Sequence, residues 1–77
     1  MNINEVLKEA RIKKGVSLRE VQAQTGISNA YISQIETGKV KNIAPLFLKR
    51  LGRYYNIPIQ ELFILAGYAD AEAIPNE

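Results

Sequence analysis

Within the six residues Asn29 to Gln34, two amide side chains, a hydroxyl and a methyl group fall close together. An amide carries an acceptor and two donors in one plane. Such a group can pair bidentately with the edge of an adenine, and an alanine methyl can touch the methyl of a thymine. This is chemistry of recognition rather than of bond breaking. The chain contains no histidine and no cysteine. It therefore lacks the commonest general base, the commonest zinc ligand and any thiolate. Its carboxylates, hydroxyls and lysines form no cluster in the sequence. No catalytic residue, metal or cofactor is expected, and the chain reads as a non-enzyme.

The elements that position Asn29, Ala30, Ser33 and Gln34 are marked by short-range punctuation. Ser28 is placed to cap a helix running from Asn29 to about Thr37, which Gly38 stops. Ile32 and Ile35 face inward on that helix, so the four small or polar residues face out. Upstream, Asn2 and Glu5 have the spacing of a capping box for a first helix. Ile3, Val6, Leu7 and Ala10 share one of its faces, and Gly15 ends it after Lys13 and Lys14. Ser17 caps a second helix in which Leu18 and Val21 point inward, ended by Gly26. Only Gly26 and Ile27 separate it from Ser28, so the second and third helices must cross steeply, as in a helix-turn-helix.

A basic linker follows from Lys39 to Asn42. Pro45 opens a fourth helix with Phe47, Leu48, Leu51, Tyr54 and Tyr55 on its core face. Pro58 opens a fifth that ends near Ala66, with Gly67 after it. No segment alternates as a strand does, so the predicted class is all-α, with five short helices. The chain of 77 residues is one domain, drawn as residues 1–67 followed by a short, flexible acidic tail at 68–77.

Charge is unevenly distributed. Residues 1–66 hold all ten Lys and Arg against five Glu, a balance of +5, whereas residues 67–77 carry −3. A basic body suits a polyanionic partner. No apolar run approaches a membrane span, and Asn2 to Glu9 is too polar for a signal peptide. With the absence of cysteine, this makes the cytoplasm the expected location.

The stretch SLREVQAQTGISNAYISQIETGK resembles the helix-turn-helix of the phage repressor and Cro family, also called the Xre family. The most specific part runs from Gly26 to Lys39, and the resemblance covers roughly residues 3 to 66. It implies a five-helix repressor-like domain that binds double-stranded DNA and regulates transcription, most often as a repressor. Asn29, Ala30 and Gln34 match positions that reach bases, with Ser33 on the same side. Ser28, Tyr31, Thr37, Lys39, Lys41 and Asn42 match positions that meet the sugar–phosphate backbone. Tyr31 has a second reading, its ring covering the edge of the core. Arg11 and Glu36 match a charge pair joining the first helix to the end of the third.

Three positions depart from the family pattern. Leu18 stands where a glutamine often touches phosphate, a contact that Arg19 next door can replace. Gln22 stands where alanine is usual and two helices approach closely, so its stem must bend aside or the helices must part. Ala44 stands where serine usually caps the fourth helix, at a cost of about 1 kcal/mol unless Asn42 substitutes.

The fifth helix is apolar on more than one side. Ile59, Leu62, Phe63 and Ala66 make one inward face, while Ile64 and Leu65 point partly elsewhere. With Tyr68, they are the predicted interface of a homodimer on a two-fold DNA site, beside a plainer reading in which the core is wide and Tyr68 folds over it. In the alternative reading the same surface makes the fold an antitoxin-like or adaptor module with a protein partner.

Overall fold

The computed structural model describes residues 1–68. Five helices follow one another: α1 (Ile3–Lys14), α2 (Leu18–Thr25), α3 (Asn29–Glu36), α4 (Pro45–Tyr55) and α5 (Ile59–Leu65). The described residues contain no strand. The fold is all-α, with α2 and α3 packed as a pair.

The first three helices begin on directional side-chain bonds. Asn2 accepts from the Glu5 N–H at 3.0 Å, and Glu5 accepts from the Asn2 N–H at 3.1 Å, closing the capping box. Ser17 Oγ accepts from the Glu20 N–H at 3.1 Å. The Glu20 carboxylate turns away to accept from Gln24 Nε2 at 3.2 Å, so α2 has a cap without the reciprocal bond. Ser28 Oγ accepts from the Tyr31 N–H at 3.1 Å and starts α3. Each such bond satisfies a donor that the helix itself cannot.

The corner between α2 and α3 turns on Gly26, at φ 77°. An L side chain there would be strained in the left-handed region. Beyond it, Thr25 stitches the turn: its hydroxyl donates to the Val21 carbonyl at 2.7 Å and accepts from the Ile27 N–H at 3.2 Å. Ile27 is thereby driven into the core, where it is buried.

The last two helices start differently. Pro45 is the first residue of α4, but Ala44 makes no side-chain cap bond and Asn42 does not take over that role. Pro58 stands at the cap position of α5 rather than inside it. Helix α5 thus begins one residue later than the sequence suggests and ends at Leu65. Both helices depend on burial instead. Gly52 of α4 is enclosed so closely that a Cβ there would lie 2.9 Å from the Ile57 carbonyl oxygen.

One core joins all five elements: Leu7 of α1, Val21 of α2, Ile32 and Ile35 of α3, Leu48 and Leu51 of α4, Leu62 and Phe63 of α5, with Ile27 and Ile43 from the connections. Ile43 directly follows the segment read as a basic linker, and its burial anchors the chain between α3 and α4. Tyr68, assigned by sequence to the tail, belongs to the folded body. Its hydroxyl donates to the Ile43 carbonyl at 3.1 Å and its ring lies 5.1 Å from that of Phe63. The rest of the expected tail, 69–77, lies outside the described residues.

Candidate nucleic-acid interface

Helix α3 is fixed from behind by a charge clamp. Arg11 Nε donates to Glu36 Oε2 at 2.8 Å and Nη2 donates to Oε1 at 3.0 Å. The remaining arm, Nη1, donates to the Val16 carbonyl at 3.0 Å. One guanidinium thus binds α1, the α1–α2 connection and the end of α3. The fork geometry suits arginine and would not suit lysine. Glu36 is buried, at 8% exposure, so its charge must be met inside the protein. The Glu36 hydrogen bonds outweigh the opposing effect of burial and raise the Arg11 pKa above its ordinary value. The nearby Tyr55 hydroxyl is buried with no partner among the described residues. Burial, reinforced by the Glu36 charge, pushes its pKa up to about 12.

Of the residues singled out by sequence, Ala30 and Gln34 lie on the side of α3 away from Glu36, whereas Asn29 and Ser33 lie at its flank. Ala30 and Gln34 are exposed; Asn29 and Ser33 are half-buried. Gln34 offers its whole amide to solvent, because only its backbone is engaged, the carbonyl accepting from the Lys39 N–H and the Thr37 hydroxyl. Asn29 is not so free. Gln22 Oε1 accepts from the Asn29 N–H at 2.7 Å and from Asn29 Nδ2 at 2.9 Å. The departure from alanine at residue 22 is thus accommodated with the side chain turned outward, exposed and hydrogen-bonded. The Gln22 amide reaches across the turn and binds the first residue of α3.

The residues matched to phosphate-backbone positions belong to α2, to α3 and to the connections on either side of α3. Arg19, Ser28, Thr37, Lys39, Lys41 and Asn42 are all exposed. Two of their hydroxyls are partly committed within the protein. Ser28 caps α3, and Thr37 donates to the Ser33 and Gln34 carbonyls at 3.0 and 3.3 Å. Tyr31 packs its ring edge-on to Phe47, with centroids 5.2 Å apart, so its body covers the core. Of the first three N–H groups of α3, Gln22 takes that of Asn29 and Ser28 takes that of Tyr31. The Ala30 N–H has no acceptor among the described residues. It points from a helix N-terminus, where an anion is favoured.

Gln22 is the residue of this region whose hydrogen bonds sequence reasoning did not foresee. Its signal was present, as an amide seven positions from another amide across a three-residue turn. Only the crossing of α2 and α3 brings them within bonding distance.

Elsewhere, Ile64 of α5 is 62% exposed, and Leu65 is half-buried. Tyr68, the third residue of that predicted interface, is turned inward onto Phe63 and Ile43. A cleft of about 500 Å³ lies between α2 and α4, lined by Gln24, Thr25, Leu46, Lys49, Arg50, Arg53 and Tyr54, away from the α3 face. No helix among the described residues is long and apolar enough to cross a membrane. The described residues hold no group of three or more acidic side chains placed to bind a metal.

Two tightly joined helices, the second clamped behind and polar in front, define a helix-turn-helix protein. The family profile described as Helix-turn-helix matches residues 7–62, and the chain belongs to this Xre-like family. Among curated relatives, the HTH-type transcriptional regulator SlrR of Bacillus subtilis (strain 168) is 31% identical over 61 residues, covering 79% of this chain and 40% of SlrR. The uncharacterized HTH-type transcriptional regulator RghRB of the same organism is 32% identical over 71 residues, covering 92% of this chain and 50% of RghRB. The chain thus spans half or less of these relatives. A third likeness, 35% over 60 residues, is to glutamine–fructose-6-phosphate aminotransferase of Methanocaldococcus jannaschii. It touches only 6% of that enzyme and carries no argument about catalysis. No solved structure matches the chain significantly.

Proposed function

We propose that this chain is the DNA-binding unit of a transcriptional regulator, reading the major groove with α3. The observation that carries the reading is the outer face of α3. Ala30 and the Gln34 side chain lie open on a helix whose rear is locked by Arg11 and Glu36. A rigid mount with unsatisfied recognition groups is what base readout requires. Asn29, Ala30, Ser33 and Gln34 choose the base pairs. Arg19, Ser28, Tyr31, Thr37, Lys39, Lys41 and Asn42 hold the phosphates and set the register. The chain works in the cytoplasm and represses by occupying a promoter, a task that asks no bond-breaking chemistry of it.

Two copies bind a two-fold site with their α3 helices roughly 34 Å apart. Ile64 favours this arrangement, being a large aliphatic side chain left 62% exposed on the last helix. Ile64 and Leu65 meet their counterparts there, and Tyr68 serves by supporting α5 from within. Ile64→Asp should leave the fold intact and turn a dimer seen by sedimentation on DNA into a monomer.

The reading is tested by titrating a labelled duplex of random sequence at low salt. The expected result is measurable affinity that falls linearly in log–log form as salt rises, through release of counterions. Indifference to duplex in dilute buffer would overturn it and favour a protein-docking role for the same fold. Selection of bound duplexes from a random pool then gives the half-site and its spacing.

A further inference from the structure

We infer that Gln22 is a positioning residue for base recognition, fixing which atoms Asn29 presents to the groove. The inference rests on the DNA-binding reading above and extends it to a residue outside α3.

A backbone N–H can only donate. Because the Asn29 N–H lies 2.7 Å from the Gln22 side chain, the atom it meets must be the Gln22 carbonyl oxygen. That choice fixes the orientation of the Gln22 amide. The same oxygen lies 2.9 Å from the Asn29 side chain, and an oxygen facing it must be met by a donor. Asn29 therefore turns Nδ2 toward Gln22 and cannot flip without setting two oxygens against each other. Amide orientation, normally free to follow whatever base is offered, is here dictated by a backbone hydrogen atom two bonds away in the relay.

The consequence lies on the outer side. Asn29 Oδ1 has no donor among the described residues and is not a buried atom, so it is open to solvent. One Nδ2 hydrogen is spent on Gln22 and the second remains. Asn29 is thus presented as one acceptor beside one donor. That pair matches adenine, which shows a donor at N6 and an acceptor at N7 in the major groove. It mismatches guanine, whose O6 and N7 are both acceptors. Gln22 also lowers the entropy that Asn29 would otherwise lose on binding, because the side chain is already held. Exposed itself, Gln22 needs no contact with the base to do this.

The experiment compares the full chain with its Asn29→Ala, Gln22→Met and Gln22→Glu variants by selection from a random duplex pool. Each is also titrated with random duplex, and the Asn29 side-chain amide is followed by NMR in free protein. Asn29→Ala marks the base pair that Asn29 reads. Gln22→Met keeps the length of the side chain but removes the acceptor. It should flatten the adenine preference at that one pair by roughly tenfold or more. Affinity for random duplex should hold, and the protected Asn29 amide resonance should be lost. Gln22→Glu keeps the acceptor and should retain the adenine preference while weakening binding to every sequence, through repulsion of phosphates. An unchanged preference in Gln22→Met would overturn the inference, as would an equal loss on selected and random duplexes. Failure of the unmodified chain to bind any duplex would instead overturn the DNA-binding reading itself, a result distinct from both.

Discussion

The two faces of α3 differ in how their polar groups are satisfied. Glu36, on the inner side, gives both carboxylate oxygens to Arg11 and is almost wholly buried. Gln34, two positions earlier on the outer side, keeps its amide free and exposed. A buried charge without partners costs several kcal/mol, so the inner side has to be complete in the folded chain. An exposed amide costs nothing while water attends it, and it keeps its capacity for another molecule. Complete satisfaction serves structure, whereas incomplete satisfaction on a rigid mount leaves the capacity that the proposed recognition would use. Asn29 lies between these cases, with one side engaged by Gln22 and the other open.

The largest effect expected is at the inner side. Glu36→Gln removes the charge that Arg11 answers and should destabilise the fold by about 3 kcal/mol, at the low end for a buried pair because Arg11 keeps the Val16 carbonyl. For a domain of this size that corresponds to a drop in Tm of roughly 12–24 °C. Thermal unfolding followed by circular dichroism measures it, and a shift of a degree or so would break the contrast between faces.

At the outer side, Gln34→Ala should leave stability within about 0.5 kcal/mol. The same change should weaken the selected DNA site by about 1–3 kcal/mol while random duplex is bound as before. Parallel melting and anisotropy titrations check both halves. An equal loss on both kinds of duplex would remove Gln34 from the reading surface.

A smaller effect sharpens the idea that local bonds hold the half of the molecule that contains the helix-turn-helix. Helices α1 to α3 have side-chain caps, and α4 and α5 have none. Ala44→Ser should supply the missing cap of α4 and raise stability by about 1 kcal/mol. Urea unfolding at a constant m value would register the gain.

The last effect is absent at neutral pH. Burial and the Glu36 charge raise the Tyr55 pKa from 10.0 to about 12. An unfolded tyrosine ionises near 10, so between about pH 10 and 12 the unfolded chain gives up a proton that the folded chain retains. The stabilisation linked to neutral Tyr55 is complete below pH 10 and disappears as pH rises through 12. Tyr55→Phe should flatten that alkaline limb in stability measured against pH.

Much of this arrangement was legible in the residues. Asn2, Ser17 and Ser28 announce helix starts because their short side chains can reach only the donors two or three positions on. Ile32 and Ile35 follow a helical period that leaves only one face for Asn29, Ala30, Ser33 and Gln34. What was illegible depends on distance in the sequence. Gln22 looked like an intruder because its effect depended on where its tip would fall, seven residues ahead. Ile43 was hidden beside a basic linker, and Tyr68 could be drawn as tail, as dimer contact or as a cover folded over the core. Both are placed by contacts across 25 positions that no local period encodes.

The sequence alone determined that this chain is a short all-α domain with a tight corner at Gly26 and an amide-bearing helix after it. Caps, left-handed glycines and helical periodicity act within a few residues and can be read along the chain. Tertiary structure decided which of those amides stays free. Packing α2 across α3 set the Gln22 oxygen against Asn29 and left Gln34 alone in solvent, since the direction of a hydrogen bond between helices exists only once their crossing is fixed.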